Sequence, residues 1–302
     1  MLAFRYYRTM RLPLTAFENS VYSQFGEDGV INHLLTALRE AEVALSFRSC
    51  EFGAWDGKHL SNTMNLILNQ KFQGVLIEAD PIKFADLQTN SAQLQIVALN
   101  EFVEPYGNTL EVIFQRNRIP IDLDVLSIDI DGSDYQILQS LKDMRPKIIV
   151  IEYNPSIPLD YVYINPVGLS RGSSALAIVN LAKEKGYSLV HRTSVNLIFI
   201  LNEYLEKHNL AVEISVAAPL ELDLEIPRVF FGYDGTVLLT TKSLQLPWHD
   251  IQIKESALQT LPAKLRKIPS EYDRVESLLY FVRVFGWINF VKRLTLRILR
   301  RV

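Results

Sequence analysis

Short, almost wholly apolar runs alternate with amphipathic segments through the first two thirds of the chain. The runs occupy residues 47–52, 74–79, 94–99, 125–130 and 147–153. Strands covered by helices on both faces have this composition, because neither face meets water. The segments that predict the covering helices occupy residues 60–69, 82–89, 134–143 and 173–185. The alternation predicts right-handed βαβ units, and therefore an α/β fold with a Rossmann-like, doubly wound, mostly parallel sheet.

Three further segments complete the predicted domain plan. Residues 23–38 repeat apolar residues at helical spacing behind an acidic first turn, so a helix precedes the first strand. Two strands at 187–191 and 195–201 are too close in sequence for a crossover, so they pair antiparallel. We expect a lead-in at 1–22, an α/β domain at 23–204 and a C-terminal appendage at 205–302.

Composition excludes several classes of protein. The chain of 302 residues is 48% hydrophobic and has a net charge of −3, which argues against a disordered tail and against nucleic-acid binding. Its single cysteine, Cys50, removes a disulfide framework and predicts a reducing, cytoplasmic location. Neither a secretory signal nor an apolar stretch long enough for a membrane span is expected.

The C-terminal end carries a separate prediction. Residues 263–302 hold ten Lys or Arg and three Asp or Glu. On a helical wheel one sector collects the arginines at positions 283, 293, 297, 300 and 301. This basic amphipathic helix either packs on the domain or a partner subunit, which we favour, or contacts an anionic membrane surface.

Acidic residues close the first two predicted strands. Glu51 precedes Gly53 and Gly57, and glycines in such a turn let the backbone approach a ligand closely. The dinucleotide pattern G-x-G-x-x-G is absent, and a carboxylate beside the loop repels phosphates but suits a ligand with an ammonium and a sulfonium. Glu78 at the second strand end can accept hydrogen bonds from both hydroxyls of a ribose.

The fourth and fifth predicted strands end in further carboxylates. The fourth delivers Asp129, Asp131 and Asp134, and the fifth delivers Glu152 followed by Asn154. These groups can bind a cationic ligand, hold a divalent metal or act as a general base. His191, at the end of a later strand, is a weaker candidate, since a lone histidine is more often structural.

Four segments in this order carry a resemblance: EFGAWDGKHLSNT, GVLIEADPIKFADL, DVLSIDIDGSDYQIL and KIIVIEYNPSIP. Together with S-Q-F-G-E-D-G at 23–29, they resemble the FkbM-type class I S-adenosylmethionine-dependent methyltransferases over residues 23–201. The resemblance implies a sheet of class I methyltransferase type with its last strand antiparallel. One departure is that the family's Asp-x-Glu-Gly-x-Glu is DIDGSD here, which leaves the roles of Asp131 and Asp134 open.

The resemblance also implies roles for single residues. The residues that it places at the cofactor, S-adenosyl-L-methionine, are Gln24, Glu51, Gly53, Ala54, Gly57, Glu78, Ala79 and Asp129. Among these, Glu51, Gly53 and Gly57 line the methionine end, Glu78 holds the ribose, and Asp129 lies beside cofactor and acceptor. The segment 24–28 closes over the cofactor.

The implied reaction is transfer of a methyl group to a hydroxyl on a sugar or a glycosylated natural product. Candidates for the base are Asp131 and His191, and candidates for acceptor contacts are Asn154, Tyr161, Tyr163 and Arg171. A divalent metal is possible but not favoured. The alternatives are a metal-dependent hydrolase using Asp129, Asp131 and Glu152, a nicotinamide-dependent oxidoreductase, and a binding protein that has lost activity on the same fold.

Overall fold

The structure is a computed structural model, and it describes residues 13–208, 213–217, 227–246, 249, 251–284 and 286. The chain divides into two compact units, Met1–Asp223 and Leu224–Val302. The larger unit contains the α/β domain. In the described residues, no helix is long and apolar enough to span a membrane.

A seven-stranded sheet forms the centre of the larger unit. Its strands are β1 (Arg48–Phe52), β2 (Gln73–Glu78), β3 (Ile96–Asn100), β4 (Val125–Ile128), β5 (Ile148–Glu152), β6 (Tyr187–Arg192) and β7 (Asn196–Leu201). They are ordered β3-β2-β1-β4-β5-β7-β6, and β7 runs antiparallel to both of its neighbours. The predicted doubly wound sheet with an antiparallel last strand is confirmed.

Helices cover both faces of this sheet. They are α1 (Glu27–Glu40), α2 (Met64–Gln70), α3 (Pro81–Ser91), α4 (Leu110–Arg116), α5 (Asp134–Ser140), α6 (Ala175–Glu184) and α7 (Asn202–His208). In one hydrophobic core, every second strand residue packs against α1, α2 and α3. In the other core, the remaining strand residues pack against α4, α5 and α6. We call the first side the α1 face.

Several predicted elements end or begin at other residues than expected, and for three of them side-chain carboxylates are the cause. The predicted strand 125–130 ends at Ile128, because the carboxylate of Asp134 accepts the amides of Ile130 and Gly132 and draws the chain into a turn. The predicted helix 134–143 ends at Ser140, because Glu111 accepts the amides of residues 142–144. The predicted helix 60–69 begins only at Met64, because the carboxylate of Glu51 accepts hydrogen bonds from residues 61–63.

The smaller unit contains two antiparallel hairpins. One pairs β8 (Val229–Phe231) with β9 (Val237–Leu239), and the other pairs β10 (Ser243–Leu246) with β11 (Ile251–Lys254). Residues 274–284 are helical. Of the five arginines of the predicted basic helix, only Arg283 lies within the described residues, so the predicted membrane or subunit contact lies outside them.

Candidate functional site

Carboxylates lie at or next to the carboxyl ends of four adjacent strands, and three of them share one face of the sheet. Glu51 on β1 is in register with Leu76 and Ser127, and Leu76 packs in the core of the α1 face. Since side chains alternate along a strand, Glu78, two residues after Leu76, points to the same face, as does Glu152, two residues after Val150. Asp129 follows the end of β4, close enough for the charge of Glu51 to act on it and for Glu152 to share a hydrogen bond with it.

The Glu51 carboxylate is buried and organises the loop before α2. It accepts the hydroxyls of Ser61 and Thr63, each at 2.6 Å, and the backbone amide of Asn62 at 2.9 Å. Burial raises the pKa of this carboxyl, and the hydrogen bonds oppose the rise. These bonds hold residues 61–63 outside the helix, so the helix predicted at 60–69 begins only at Met64.

The turn after β1 requires glycine at position 53. Gly53 has φ +76°, and a Cβ atom built there would lie 1.6 Å from the backbone oxygen of Asp129. The amides of Gly53 and Ala54 both donate to the Ile77 carbonyl at 3.1 Å, which ties the turn to β2. Gly57 packs toward Leu87 instead of toward the carboxylates. A side chain at position 53 would therefore collide with the backbone just after β4.

Replacing Gly53 with alanine is expected to lower the free energy of unfolding by several kcal/mol, because the backbone of Asp129 must move to admit the methyl group. Urea unfolding followed by circular dichroism measures the change. Gly107 is a matched control, because its φ is +74° but no atom lies within 4 Å of its built Cβ. Equal losses for both alanine variants would contradict a steric origin and leave only the cost of the backbone conformation.

Glu78 joins the loops after β1 and β2. Its carboxylate accepts the amides of Trp55 and Asp80, both at 2.8 Å, and is only 6% exposed. Asn100, at the end of β3, donates from Nδ2 to the carbonyls of Glu78 and Ala79 at 2.8 and 3.2 Å. Ala79 is exposed beside it. The carboxylate keeps lone pairs that the two amides do not use.

Asp129, Asp131 and Glu152 form a close group at the ends of β4 and β5. Oxygen atoms of the three carboxylates lie within 4.8 Å of one another, a spacing that could hold a metal ion. Burial and the neighbouring carboxylates raise the pKa of Asp129 to about 7 and that of Glu152 to about 9. The two carboxylates share a hydrogen bond, so the pair retains a proton at neutral pH.

The two remaining acids of DIDGSD differ in environment. Asp134 is buried and accepts the amides of Ile130 and Gly132 at 2.9 Å, so it shapes the turn; burial raises its pKa to about 6. Asp131 is exposed and has φ +55°, a left-handed conformation that aspartate tolerates better than most residues. Of the two, Asp131 is thus available to a ligand.

The predicted acceptor residues lie on the segment between β5 and α6. Asn154 donates from Nδ2 to the Arg171 carbonyl, and its Oδ1 accepts the Ser156 amide at 2.8 Å, so it closes the base of this segment. The side chain of Tyr161 is 59% exposed, and that of Arg171 is exposed.

The segment 24–28, which leads into α1, contacts the residues before and at the start of β7 beside the site. The buried carboxylate of Glu27 accepts Thr193 Oγ1 at 2.8 Å and Asn196 Nδ2 at 2.9 Å, and Asn196 is in register with Glu152. Gln24 is exposed on this segment. His191 is buried with Nε2 3.0 Å from Glu18, and burial lowers its pKa to about 4, so the imidazole is neutral and this contact is not an ion pair.

Several polar residues near the site were missed from the sequence. Asn62, Asn100 and Asn196 connect the loops around the carboxylates, and Asn165 attaches the segment between β5 and α6. Asn100 directly follows the apolar run 94–99, and this position could have identified it as a residue at the carboxyl edge of the sheet. The other three lie within loops or at a strand start, and their partners become neighbours only in the fold.

A cavity of about 840 Å³ lies apart from the carboxylates. It runs between α4 and α5, and its lining includes Tyr106, Gln115, Gln136 and Asp143. None of Glu51, Glu78, Asp129 and Glu152 lines it. We therefore centre the site on the strand ends, where the ionisable groups converge.

Among the residues that the structure describes, the carboxylates at this edge of the sheet lack positively charged partners, which bears on whether a cationic nucleoside fits there. In the described part of the chain, no Lys or Arg forms an ion pair with Glu51, Glu78, Asp129 or Glu152. Buried carboxylates without a counterion favour a ligand that brings positive charge and disfavour a diphosphate. These carboxylates thus fit a ligand with a ribose, an ammonium and a sulfonium.

Comparison with known proteins gives similarity at the level of solved structures. No protein-family model and no curated protein matches the chain. One similar structure is the CMeT domain of the citrinin polyketide synthase, with 10% identity, 60% of this chain and 55% of that chain covered, and a TM-score of 0.37. Another is M. capricolum TrmK with S-adenosyl-homocysteine, with 14% identity, coverages of 55% and 66%, and a TM-score of 0.33.

A third is the TehB-like SAM-dependent methyltransferase from Corynebacterium glutamicum, with 12% identity, coverages of 62% and 91%, and a TM-score of 0.35. The chain spans less than two thirds of the length of the first two structures. All three TM-scores lie below 0.5, so we draw the function from the geometry of the site itself.

Proposed function

We propose that the chain is an S-adenosylmethionine-dependent methyltransferase, with its active site at the carboxyl edge of the sheet. The observation that carries this proposal is the row of carboxylates at the carboxyl ends of β1, β2, β4 and β5, which form no ion pair with a Lys or Arg among the described residues. A sulfonium nucleoside supplies the missing positive charge. A nicotinamide dinucleotide would bring two phosphates to the same edge, and G-x-G-x-x-G is absent.

Each residue near the edge has a proposed task. Glu78 accepts hydrogen bonds from the ribose hydroxyls with its free lone pairs, beside Ala79. Glu51 acts indirectly by fixing the loop at 61–63, while Gly53 and Ala54 set the backbone of the turn. Asp129 and Glu152 face the positive charge, and Gln24 covers the site from the α1 side and excludes water.

When bound, S-adenosylmethionine supplies a methyl group already activated by a sulfonium, so the chain mainly orients and desolvates the reactants. We propose that the acceptor is a hydroxyl on a sugar or a glycosylated natural product, held by Asn154, Tyr161 and Arg171. Asp131 is the proposed base, because it is exposed within the acidic group. His191 has no catalytic step in this scheme, since it is buried against Glu18.

Isothermal titration tests the proposal with ligands that separate it from its rivals. We expect S-adenosylhomocysteine to bind in the micromolar range with EDTA present, and we expect no heat from NAD⁺ or from MgCl₂ alone. Binding of NAD⁺ would favour an oxidoreductase, and binding of Mg²⁺ alone would favour a metal-dependent enzyme. Either result without S-adenosylhomocysteine binding would refute the proposal.

A further inference from the structure

The segment 155–172 has an unusual combination of length and exposed apolar side chains. It connects β5 to α6 without helix or strand, and loops of this length in compact domains are usually functional. Large apolar side chains that are between 40% and 59% exposed occur at five of its positions: Tyr161, Val162, Ile164, Val167 and Leu169. Scattered exposed apolar residues are ordinary, whereas a dense group marks a contact surface.

The segment is nevertheless firmly attached at its centre by Asn165, which is completely buried. Its Nδ2 donates to the Gly132 carbonyl at 2.9 Å and also to the Leu169 carbonyl, and its amide donates to Ser173 Oγ at 3.0 Å. Its carbonyl accepts Nε2 of Gln136. Buried hydrogen bonds of this kind fix one conformation, because each broken one leaves a polar group unsatisfied.

The attachment places the segment directly at the acidic group. Gly132 adjoins Asp131, and a Cβ atom on Gly132 would lie 2.6 Å from the Leu169 carbonyl. The base of the segment meets Asn154, two residues after Glu152, through the bond from the Asn154 amide to the Ser173 carbonyl at 2.9 Å. The apolar side chains are thus carried by a wall that begins and is anchored beside the carboxylates.

We infer that residues 155–172 form a preformed wall that binds the carbon skeleton of an amphipathic acceptor, while the acceptor's hydroxyl lies at Asp129, Asp131 and Glu152. This inference rests on the proposed function and narrows its acceptor class. A small free sugar would leave the apolar side chains exposed to water. An acceptor with an alkyl chain or an apolar ring system removes them from water and gains affinity.

Alkyl glucosides provide the test, with the full chain saturated with S-adenosylhomocysteine. A methylene removed completely from water strengthens binding about fourfold, so partial burial of a hexyl chain predicts binding about tenfold tighter than that of methyl β-D-glucoside. In the double variant Val162→Ser/Val167→Ser we expect this ratio to fall to about two. The matched control Val97→Ser/Val112→Ser changes two exposed valines elsewhere in the same unit and should keep the wild-type ratio.

A second variant tests the attachment of the wall. Asn165→Ala should increase hydrogen exchange of the amides at 163–169 and reduce the hexyl-to-methyl ratio, while affinity for S-adenosylhomocysteine stays within about twofold. This pattern separates a positioning role from general unfolding, which would abolish both kinds of binding.

Each other outcome overturns the inference in a recognisable way. A ratio near one in the wild type, with S-adenosylhomocysteine bound, refutes the apolar acceptor but leaves the methyltransferase proposal intact. A wild-type dimer that Val162→Ser/Val167→Ser converts to a monomer in light scattering shows that a second copy covers the wall. Absence of S-adenosylhomocysteine binding refutes the proposed function, and the inference with it.

Discussion

Replacing Glu78 with alanine should weaken S-adenosylhomocysteine binding by a factor of about one hundred or more. The ribose would lose two hydrogen bonds to a charged, 6% exposed carboxylate, each worth about 1.5–3 kcal/mol. The same change removes the acceptor for the amides of Trp55 and Asp80, so the loops after β1 and β2 lose their connection. Isothermal titration of the purified variant measures the loss.

Two companions make this result specific. Glu40→Ala removes an exposed carboxylate at the end of α1 and should bind like the wild type. Glu78→Gln keeps the size of the side chain but not its charge, so we expect an intermediate loss. If Glu78→Ala bound S-adenosylhomocysteine with wild-type affinity while remaining folded, the ribose assignment would be wrong.

The second large effect is a pH dependence that distinguishes the cofactor from its product. The Asp129 and Glu152 pair holds a proton at neutral pH, since their pKa values are raised to about 7 and about 9. A bound sulfonium favours the ionised pair, so the proton leaves on binding and affinity for S-adenosylmethionine increases as pH rises through these values. The product has a neutral sulfur and lacks most of this dependence.

We therefore expect the ratio of affinities, cofactor over product, to increase about tenfold between about pH 6.5 and pH 8.5. Competition titrations in buffers of different ionisation enthalpy measure both the ratio and the released proton. In Glu152→Gln the pH dependence should shrink to the part that comes from Asp129, because burial is the first cause of its raised pKa of about 7 and is unchanged in this variant. The control Glu40→Gln should retain the dependence. A wild-type ratio that is flat across this range would show that the sulfonium lies elsewhere.

The fold was predictable because strands that are buried on both faces consist of almost wholly apolar residues, and such runs are visible in the sequence. Each apolar run became a strand, and an acidic residue at or next to its end marked the carboxyl edge, so Glu51, Glu78 and Glu152 could be placed at one edge of the sheet. The mostly parallel sheet and its antiparallel β7 followed from spacing and from the resemblance.

The roles of single polar residues were less predictable, because they depend on partners distant in sequence. Glu51 accepts hydrogen bonds from its own loop, Asp134 shapes the turn after β4, and His191 is buried against Glu18. The sequence shows only that these residues are polar and follow strands. Likewise, nothing local marks Asn165 as the buried attachment of an otherwise exposed segment.

The most direct test of the account is a crystal structure of the chain with S-adenosylhomocysteine. We expect the Glu78 carboxylate within hydrogen-bond distance of the ribose hydroxyls, with the sulfur on the side of Asp129 and Glu152. Ligand density in the cavity between α4 and α5, with the carboxylate edge empty, would contradict the assignment of the site.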